Sequence, residues 1–130
     1  LSSEENIKKA IRIRKLFGGG MRQVGYLAAA GIYALDHHVE RLENDHERAK
    51  KVGLALEKSD WVLKVEPIET NIVIFNIHKH LDEHVFINHL EKEHIKLISM
   101  GEGKLRIVTH LEFTDVMLDK VIDVLGKMPI

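Results

Sequence analysis

The chain has 130 residues, of which 45% are apolar and 30% are charged, a composition that fits one globular domain with enough apolar material for a core. Lysine and arginine total 19 against 20 for aspartate and glutamate, so a net charge of −1 gives no global attraction to nucleic acid or an acidic membrane. The absence of cysteine excludes disulfides, thiolate metal ligands and a cysteine nucleophile.

The N-terminal residues lack the basic start and the apolar stretch of a signal peptide, and we expect a cytoplasmic protein. The chain begins with Leu1 instead of methionine, and we expect it to be a fragment of a longer protein. The longest uncharged run, residues 24–35, is too short and too weakly apolar to span a bilayer.

A first helix is predicted over residues 4–16. Ser2 and Glu5 have the S-x-x-E spacing of a capping box, and the apolar residues that follow have a 3.6-residue period. The three glycines at 18–20 end this helix, because glycine loses more backbone entropy than any other residue when it is ordered.

A much longer second helix is predicted over residues 21–58. Its later half has one apolar stripe with charges on the other positions, which is typical of a surface helix on a core. Its first half, residues 24–35, has no charge on any face, and a helix that is apolar all round must be covered all round. The sequence therefore predicts that this segment packs against another surface.

From Trp61 onward, strand patterns alternate with helix patterns. Strands are predicted at 61–65, 71–77, 96–99 and 104–109, and helices at 81–94 and from Thr114 to Gly126. This order predicts an α+β fold, with helices on one face of a small, mainly antiparallel sheet preceded by the long helix. We divide the chain into a helical arm with a triglycine joint at 1–23 and a small α+β domain at 24–130.

A basic, glycine-rich segment spans residues 12–23 and contains Lys15 and Arg22. Glycines that lead into a helix N-terminus beside cations are typical of phosphate sites, since free N–H groups and the helix dipole both favour an anion. The segment matches neither the P-loop nor the dinucleotide-binding motif. A phosphate site and a plain flexible joint beside a solvated basic helix both fit this pattern.

Arg106 is the second candidate for chemistry. Strand alternation places it with Val108 on one face and Leu105, Ile107 and Thr109 on the other. A guanidinium held on a rigid strand can bind a carboxylate through two parallel hydrogen bonds. The alternative is an arginine on an edge strand or a wet face.

Nine histidines invite a metal site, but they lack the H-E-x-x-H pattern, and only His80 and His84 have helical ligand spacing. Solvated histidines and no metal are therefore our expectation. No motif of a nucleophilic triad is present, so no catalytic residue is assigned.

Four segments resemble, in the same order, segments of low-specificity L-threonine aldolases, which depend on pyridoxal phosphate. They are residues 14–35 (RKLFGGGMRQVGYLAAAGIYAL), Arg41-Leu42-x-x-Asp45-His46-x-x-Ala49, Thr70-Asn71-Ile72-Val73 and Leu105-Arg106-Ile107-Val108-Thr109-His110. The resemblance runs from about Ile7 to Leu125, and the pairing of G-G-G-M-R-Q with R-x-V-T-H is specific.

The resemblance implies the C-terminal small domain of an enzyme of the aspartate-aminotransferase fold type. The missing large domain would hold the Schiff-base lysine, and the complete enzyme would cleave L-threonine or L-allo-threonine to glycine and acetaldehyde. Arg106 matches the arginine that binds the substrate α-carboxylate. Lys15 matches a lysine that reaches the cofactor phosphate of a neighbouring subunit, and Arg22 an arginine near that phosphate. A homo-oligomer with sites shared between subunits is implied, and this segment alone is expected to be inactive.

Other functions stay open. A non-catalytic oligomerisation or interaction module of the same fold would also cover the uncharged helix, and a related β-eliminating lyase would share the fold and the cofactor. Nucleic-acid binding through the basic residues of the first helix is disfavoured, because no aromatic residues are interleaved with those cations.

Overall fold

The computed structural model describes residues 2–128. Its elements are α1 (Glu4–Leu16), α2 (Gly25–His37), α3 (Leu42–Glu57), β1 (Val62–Val65), β2 (Ile72–Ile77), α4 (Glu83–Lys92), β3 (Ile98–Gly101), β4 (Lys104–Val108) and α5 (Asp115–Gly126). The chain separates into two compact units, Leu1–Val39 and Glu40–Ile130, each described by itself.

The first helix has the predicted bounds but a different N-terminal cap. Ser3 is the N-cap, and its hydroxyl accepts a hydrogen bond from the Asn6 N–H at 3.4 Å. The Glu5 carboxylate accepts from Lys9 one turn ahead at 2.7 Å and therefore does not reach back to the cap. The predicted capping box of Ser2 and Glu5 is wrong, because Glu5 pairs along the helix instead.

The predicted long helix is wrong as a single element. It is divided by a turn over residues 38–41 into α2 and α3. The residues at the division, His37-His38-Val39, are all weak helix formers, and Val39 is stiffened by its β-branch. On the other side of the turn, Arg41 pairs with Asp45 one turn into α3, which fixes where the second helix begins.

Helix α2 contains the uncharged stretch noted in the sequence. Its residues 25–35 carry no charged side chain, and the helix has no buried residue, with Leu27, Ile32 and Leu35 among its exposed side chains. None of the helices in the described part of the chain has the length and hydropathy needed to cross a bilayer. The exposed apolar side chains of α2 are the kind of surface that packs against a protein partner or further chain.

The second unit confirms the predicted α+β fold. Its four strands form one antiparallel sheet in the order β1-β2-β4-β3. The core lies between one face of this sheet and helices α3, α4 and α5, and is built from Ala49, Val52, Leu56, Val73, Phe75, Phe86, Leu90, Leu105, Ile107, Leu118, Val121 and Leu125. Thr114 caps α5 as predicted, its hydroxyl accepting from the Met117 N–H at 3.3 Å.

Two predicted boundaries near the hairpin shift. Strand β3 lies two residues later than predicted, because Glu102 and Gly103 form a tight two-residue turn with φ of 54° and 73° that joins it directly to β4. Helix α4 begins at Glu83, since the Asp82 carboxylate caps it by accepting from the His84 N–H at 2.8 Å.

Two residues after the end of α4, a histidine has a backbone conformation that favours glycine. His94 has φ of 62°, and the N–H groups of His94 and Ile95 donate to the carbonyls of Glu91 and Leu90, the pattern of a Schellman motif. We expect His94→Gly to raise the free energy of unfolding by about 0.5–1 kcal/mol, because glycine carries no Cβ penalty there. Chemical denaturation measures it, with the exposed mid-helix substitution Asn88→Gly as a control that should instead be destabilising by about 0.2–0.4 kcal/mol.

Candidate functional site

One face of the sheet is free of helices in the second unit. Along β2 and β4, buried residues alternate with exposed or half-buried ones, so the second set lies on the face opposite the core. Residues paired across strands share a face, which adds Lys64 and Ile98. We call this the open face; it consists of Lys64, Ile72, Ile74, Asn76, Ile98, Lys104, Arg106 and Val108.

Arg106 lies at the centre of the open face. Strand β4 is an interior strand, and Arg106 is paired with Ile74 on one side and Ile98 on the other. Its side chain is half-buried, and its Nε is buried without a hydrogen-bond partner among residues 2–128. The interpretation of Arg106 as an edge-strand arginine is therefore wrong, because both neighbouring strands are present.

An unpaired guanidinium held between apolar neighbours favours an anionic ligand. A buried donor without an acceptor costs about 1–3 kcal/mol, a cost that an incoming carboxylate would remove. No acidic side chain lies within 4.0 Å of Arg106 in the described part of the chain. The isoleucines on both sides lower the local dielectric, which strengthens a charge-assisted hydrogen bond.

The remaining charges of the open face add to its positive potential. Lys104 is on the same strand and face as Arg106 and is paired with Asn76. At the β1 edge, Lys64 donates to Glu66 at 2.8 Å. That hydrogen bond, helped by the charges of Lys64 and Lys104, lowers the pKa of Glu66. Glu66 therefore stays ionised next to Lys64, and the central cations keep no carboxylate partner of their own.

The three predicted binding residues are divided between the two units. Lys15 and Arg22 belong to the first and Arg106 to the second. Lys15 is in the last turn of α1 and Arg22 is in the turn before α2, and both are exposed. Neither has an acidic partner within 4.0 Å among the residues that the structure describes.

The triglycine segment caps α1 and does not open α2. Gly18 has φ of 80°, and the N–H groups of Gly18 and Gly19 donate to the carbonyls of Lys15 and Arg14 at 3.2 and 2.8 Å. Helix α2 starts only at Gly25. The prediction that the glycines lead into a helix N-terminus is wrong, since two of their N–H groups are used in ending the preceding helix. The groups in this segment that we expect to bind an anion are therefore the exposed side chains of Lys15 and Arg22.

A buried ion-pair network lies behind the sheet, and sequence reasoning gave it no role. Asp45 is 2% exposed and accepts two hydrogen bonds from Arg41, at 2.9 and 3.1 Å. Arg48 lies 3.9 Å from the same carboxylate and donates from Nε to Asp115 at 2.8 Å. This hydrogen bond from Arg48 holds the pKa of Asp115 below its usual range. The network joins α3 to the first turn of α5.

Thr109 joins this network to the strand that carries Arg106. Its hydroxyl donates to the backbone carbonyl of Asp45 at 2.7 Å, and its side chain is fully buried. The Thr109 N–H donates to the Asn71 carbonyl at 3.0 Å, and the Asn71 amide donates back to the Thr109 carbonyl at 2.6 Å. Three of the segments that carry the family resemblance thus meet here. The signals in the sequence were Thr109, a polar residue on the same strand face as Leu105 and Ile107, and Asp45, a carboxylate one helical turn before the buried Ala49.

The histidines form no metal centre in the described part of the chain, where no group of three or more potential ligands is found. His78 and His80 stack with ring centroids 5.6 Å apart. They lie outside the open face.

Comparison with known proteins places the chain in a family. The sequence model of the family described as "Beta-eliminating lyase" matches residues 1–80, more than half of the chain. The chain belongs to the beta-eliminating lyase family. The resemblance to threonine aldolases predicted from the motifs is confirmed by similarity to curated proteins of that name, and this beta-eliminating lyase family member spans about a third of their length.

Two such relatives illustrate the match. Low-specificity L-threonine aldolase 1 of Arabidopsis thaliana is 33% identical over 117 residues, covering 88% of this chain and 33% of the relative. The low specificity L-threonine aldolase of Escherichia coli K12 is 36% identical over 121 residues, covering 93% of this chain and 35% of the relative.

Solved structures show the same fold. The cystine C-S lyase C-DES in complex with its reaction product cysteine persulfide superposes with a TM-score of 0.62 at 17% identity, covering 80% of this chain and 28% of that chain. A C-DES mutant with glycine covalently linked to its PLP cofactor matches equally well. At this identity the likeness concerns the fold alone, and it agrees with the predicted fold class.

Proposed function

We propose that this beta-eliminating lyase family chain is the C-terminal part of a pyridoxal-phosphate-dependent aldolase that cleaves L-threonine or L-allo-threonine to glycine and acetaldehyde. The observation that carries the proposal is the unpaired guanidinium of Arg106 at the centre of the open face. The similarity to threonine aldolases over most of this chain supports it. The segment spans about a third of these relatives, so a large domain would come from the rest of the protein.

In this proposal Arg106 binds the α-carboxylate of the amino acid. Two parallel N–H···O hydrogen bonds fix both the position and the plane of the carboxylate, and so limit rotation of the Cα substituents. Ile74 and Ile98 flank Arg106 on the two neighbouring strands, and their apolar side chains favour a charge-assisted hydrogen bond there. The chain's own contribution is thus binding and orientation, with no nucleophile, and this segment alone is expected to be inactive.

Lys15 and Arg22 fit a cofactor phosphate by charge. Both are exposed cations that lack an acidic partner among residues 2–128, and a phosphate dianion is the ligand such a pair favours. When bound, pyridoxal phosphate supplies an electron sink for the electron pair released as the Cα–Cβ bond breaks. Lys15 and Arg22 would hold its phosphate, either in the same subunit or in a neighbouring one.

Cofactor retention tests the role of Lys15. We expect Lys15→Ala in the complete protein to weaken cofactor binding about tenfold, since one charge-assisted contact to the phosphate is lost. Cofactor absorbance after exhaustive dialysis measures the retained fraction. Lys8→Ala is the matched control, because Lys8 is on the same helix but is paired with Glu4 at 2.8 Å. Equal retention in both variants would remove Lys15 from the phosphate site.

A second candidate is a related lyase that eliminates a β-substituent. The family description and the cystine C-S lyase fold neighbour favour it. The complete protein should be assayed with L-allo-threonine, for acetaldehyde and glycine, and with cystine, for pyruvate and ammonia. Acetaldehyde formation supports the aldolase, and pyruvate formation alone supports the β-eliminating lyase. If neither product forms, the interaction module with its exposed α2 is favoured.

Two statements about the whole protein stay predictions. Assembly into a homo-oligomer with sites shared between subunits follows from the family resemblance, and size-exclusion chromatography with light scattering tests it. The cytoplasmic location is likewise a prediction.

A further inference from the structure

The end of strand β4 is held differently from its beginning. Strand β3 pairs with residues 104–106 of β4 and reaches no further, whereas β2 pairs with β4 as far as Val108. Beyond Arg106 the strand therefore has a hydrogen-bonded neighbour on one side only. A strand paired on one side is more easily displaced or shifted in register than one paired on both sides.

Thr109 supplies the missing restraint. Its N–H and its carbonyl both bond to Asn71, at 3.0 and 2.6 Å, which closes the ladder between β2 and β4. Its hydroxyl bonds to the Asp45 carbonyl of α3 at 2.7 Å, on the core side of the sheet. The strand end is thus held by one contact to the sheet and one contact to the helix layer.

The helix contact also determines which way Arg106 faces. Thr109 directly follows β4 and continues its pairing with β2 through Asn71, so residues 106 and 109, three apart, place their side chains on opposite faces. While the Thr109 hydroxyl bonds inward to α3, Arg106 must lie on the open face. A shift of one residue would reverse both side chains, placing the guanidinium in the core. Asp45 is itself fixed by two hydrogen bonds from Arg41, so the acceptor of the Thr109 hydroxyl does not move with the strand.

We infer that Thr109, bonded to Asn71 and to the Asp45 carbonyl, is a positioning residue that holds the register of β4 and thereby aims Arg106 at the substrate carboxylate. This inference rests on the proposed role of Arg106 as the carboxylate-binding residue. Thr109 itself touches no substrate, because its side chain is fully buried behind the sheet.

The test uses the complete protein loaded with cofactor and compares Thr109→Val with Thr109→Ser. Valine keeps the shape but loses the hydroxyl, whereas serine keeps the hydroxyl. A misplaced guanidinium weakens carboxylate binding, so we expect Thr109→Val to raise KM about five- to tenfold and Thr109→Ser to stay within about twofold. Steady-state kinetics with L-allo-threonine measures both.

A stability control separates positioning from folding. Leu125→Ala in α5 removes a fully buried side chain that lines a cavity with residues of α3 and Trp61 and with no residue of β4, so it lowers stability away from the open face. A merely structural loss lowers the active fraction, and with it the apparent kcat, but leaves KM unchanged. If Thr109→Val and Leu125→Ala shift KM equally, or if Thr109→Val leaves KM unchanged, the inference is overturned.

Two further variants make each outcome decisive. If Thr109→Val does not fold, Asn71→Ala takes its place, because it removes only the half-buried side-chain amide that donates to the Thr109 carbonyl. We expect Asn71→Ala to raise KM as well. An unchanged KM in this variant overturns the inference. Arg106→Ala separates the carboxylate-binding role of Arg106 from the positioning role of Thr109. If it leaves KM unchanged, the proposed function fails, whereas a raised KM for Arg106→Ala beside an unchanged KM for Thr109→Val removes the positioning role alone.

Discussion

Arg106→Ala in the complete protein should raise KM strongly and lower kcat/KM by about 2–4 kcal/mol, roughly 30- to 1,000-fold. The physical reason is the position of this side chain, a half-buried cation between two isoleucines with a buried Nε that has no acceptor among residues 2–128. A carboxylate bound there replaces an unsatisfied donor with a charge-assisted pair, so the loss of the guanidinium removes the full contact.

Two variants make this result specific. Arg106→Lys keeps the charge but loses the planar guanidinium fork, and we expect its kcat/KM to lie between those of the wild type and the alanine variant. Lys64→Ala removes a cation at the β1 edge of the same face, where it pairs with Glu66, and should change kcat/KM less than about twofold. An unchanged KM in Arg106→Ala would remove Arg106 from the carboxylate site.

Asp45→Asn should destabilise the second unit by about 2–3 kcal/mol. Removing one partner of a buried ion pair leaves the other charge uncompensated, and here Arg41 loses the carboxylate that accepts both of its hydrogen bonds and is 2% exposed. Arg48 keeps its hydrogen bond to Asp115. We expect a smaller loss of unfolding free energy than the largest values known for broken buried ion pairs, because the side chain of Arg41 retains 21% exposure.

Hydrogen exchange in the complete protein measures this loss locally. The amides of α3 should exchange about 30- to 150-fold faster in Asp45→Asn, which is the same free energy expressed as a ratio. Glu43→Gln is the matched control, since Glu43 is an exposed carboxylate on the same helix turn and should leave exchange unchanged. Exchange rates in Asp45→Asn equal to those of the wild type would show that the ion pair contributes nothing to stability.

The two errors in the helical region have the same origin. Residues 21–58 contain no proline, and no glycine lies between Gly31 and Gly53, so local propensity favours a helix that continues through residues 38–41. The division at residues 38–41 depends on contacts within the second unit, where Arg41 pairs with the buried Asp45 and Ala49 enters the core. The capping box at Ser2 fails for a related reason, because a carboxylate at that spacing also finds a lysine one turn ahead. Spacing indicates which partners are possible, and the competition among them is decided by geometry.

For the candidate site, the sequence supplied the side chains and their faces. Period-two alternation placed Arg106 opposite Leu105 and Ile107, and these two residues are buried as that pattern requires. The motif pairing identified the resemblance that the family match confirms. The strand order was beyond this reasoning, because alternation does not show which strand is next to which. Yet strand order makes β4 an interior strand and gives Arg106 its two apolar neighbours.

The sequence by itself determined the α+β class, the end of α1 at the glycines, the face of Arg106 and the family resemblance, since all of these follow from local periods and motifs. Only the tertiary structure decided that the Arg106 Nε is buried without a partner among residues 2–128, and that Asp45, Asn71 and Thr109 converge on the core side of the sheet. These residues are up to 64 positions apart in the chain. Burial and hydrogen-bond partnership at such separations depend on how the strands and helices pack together, which no local pattern encodes.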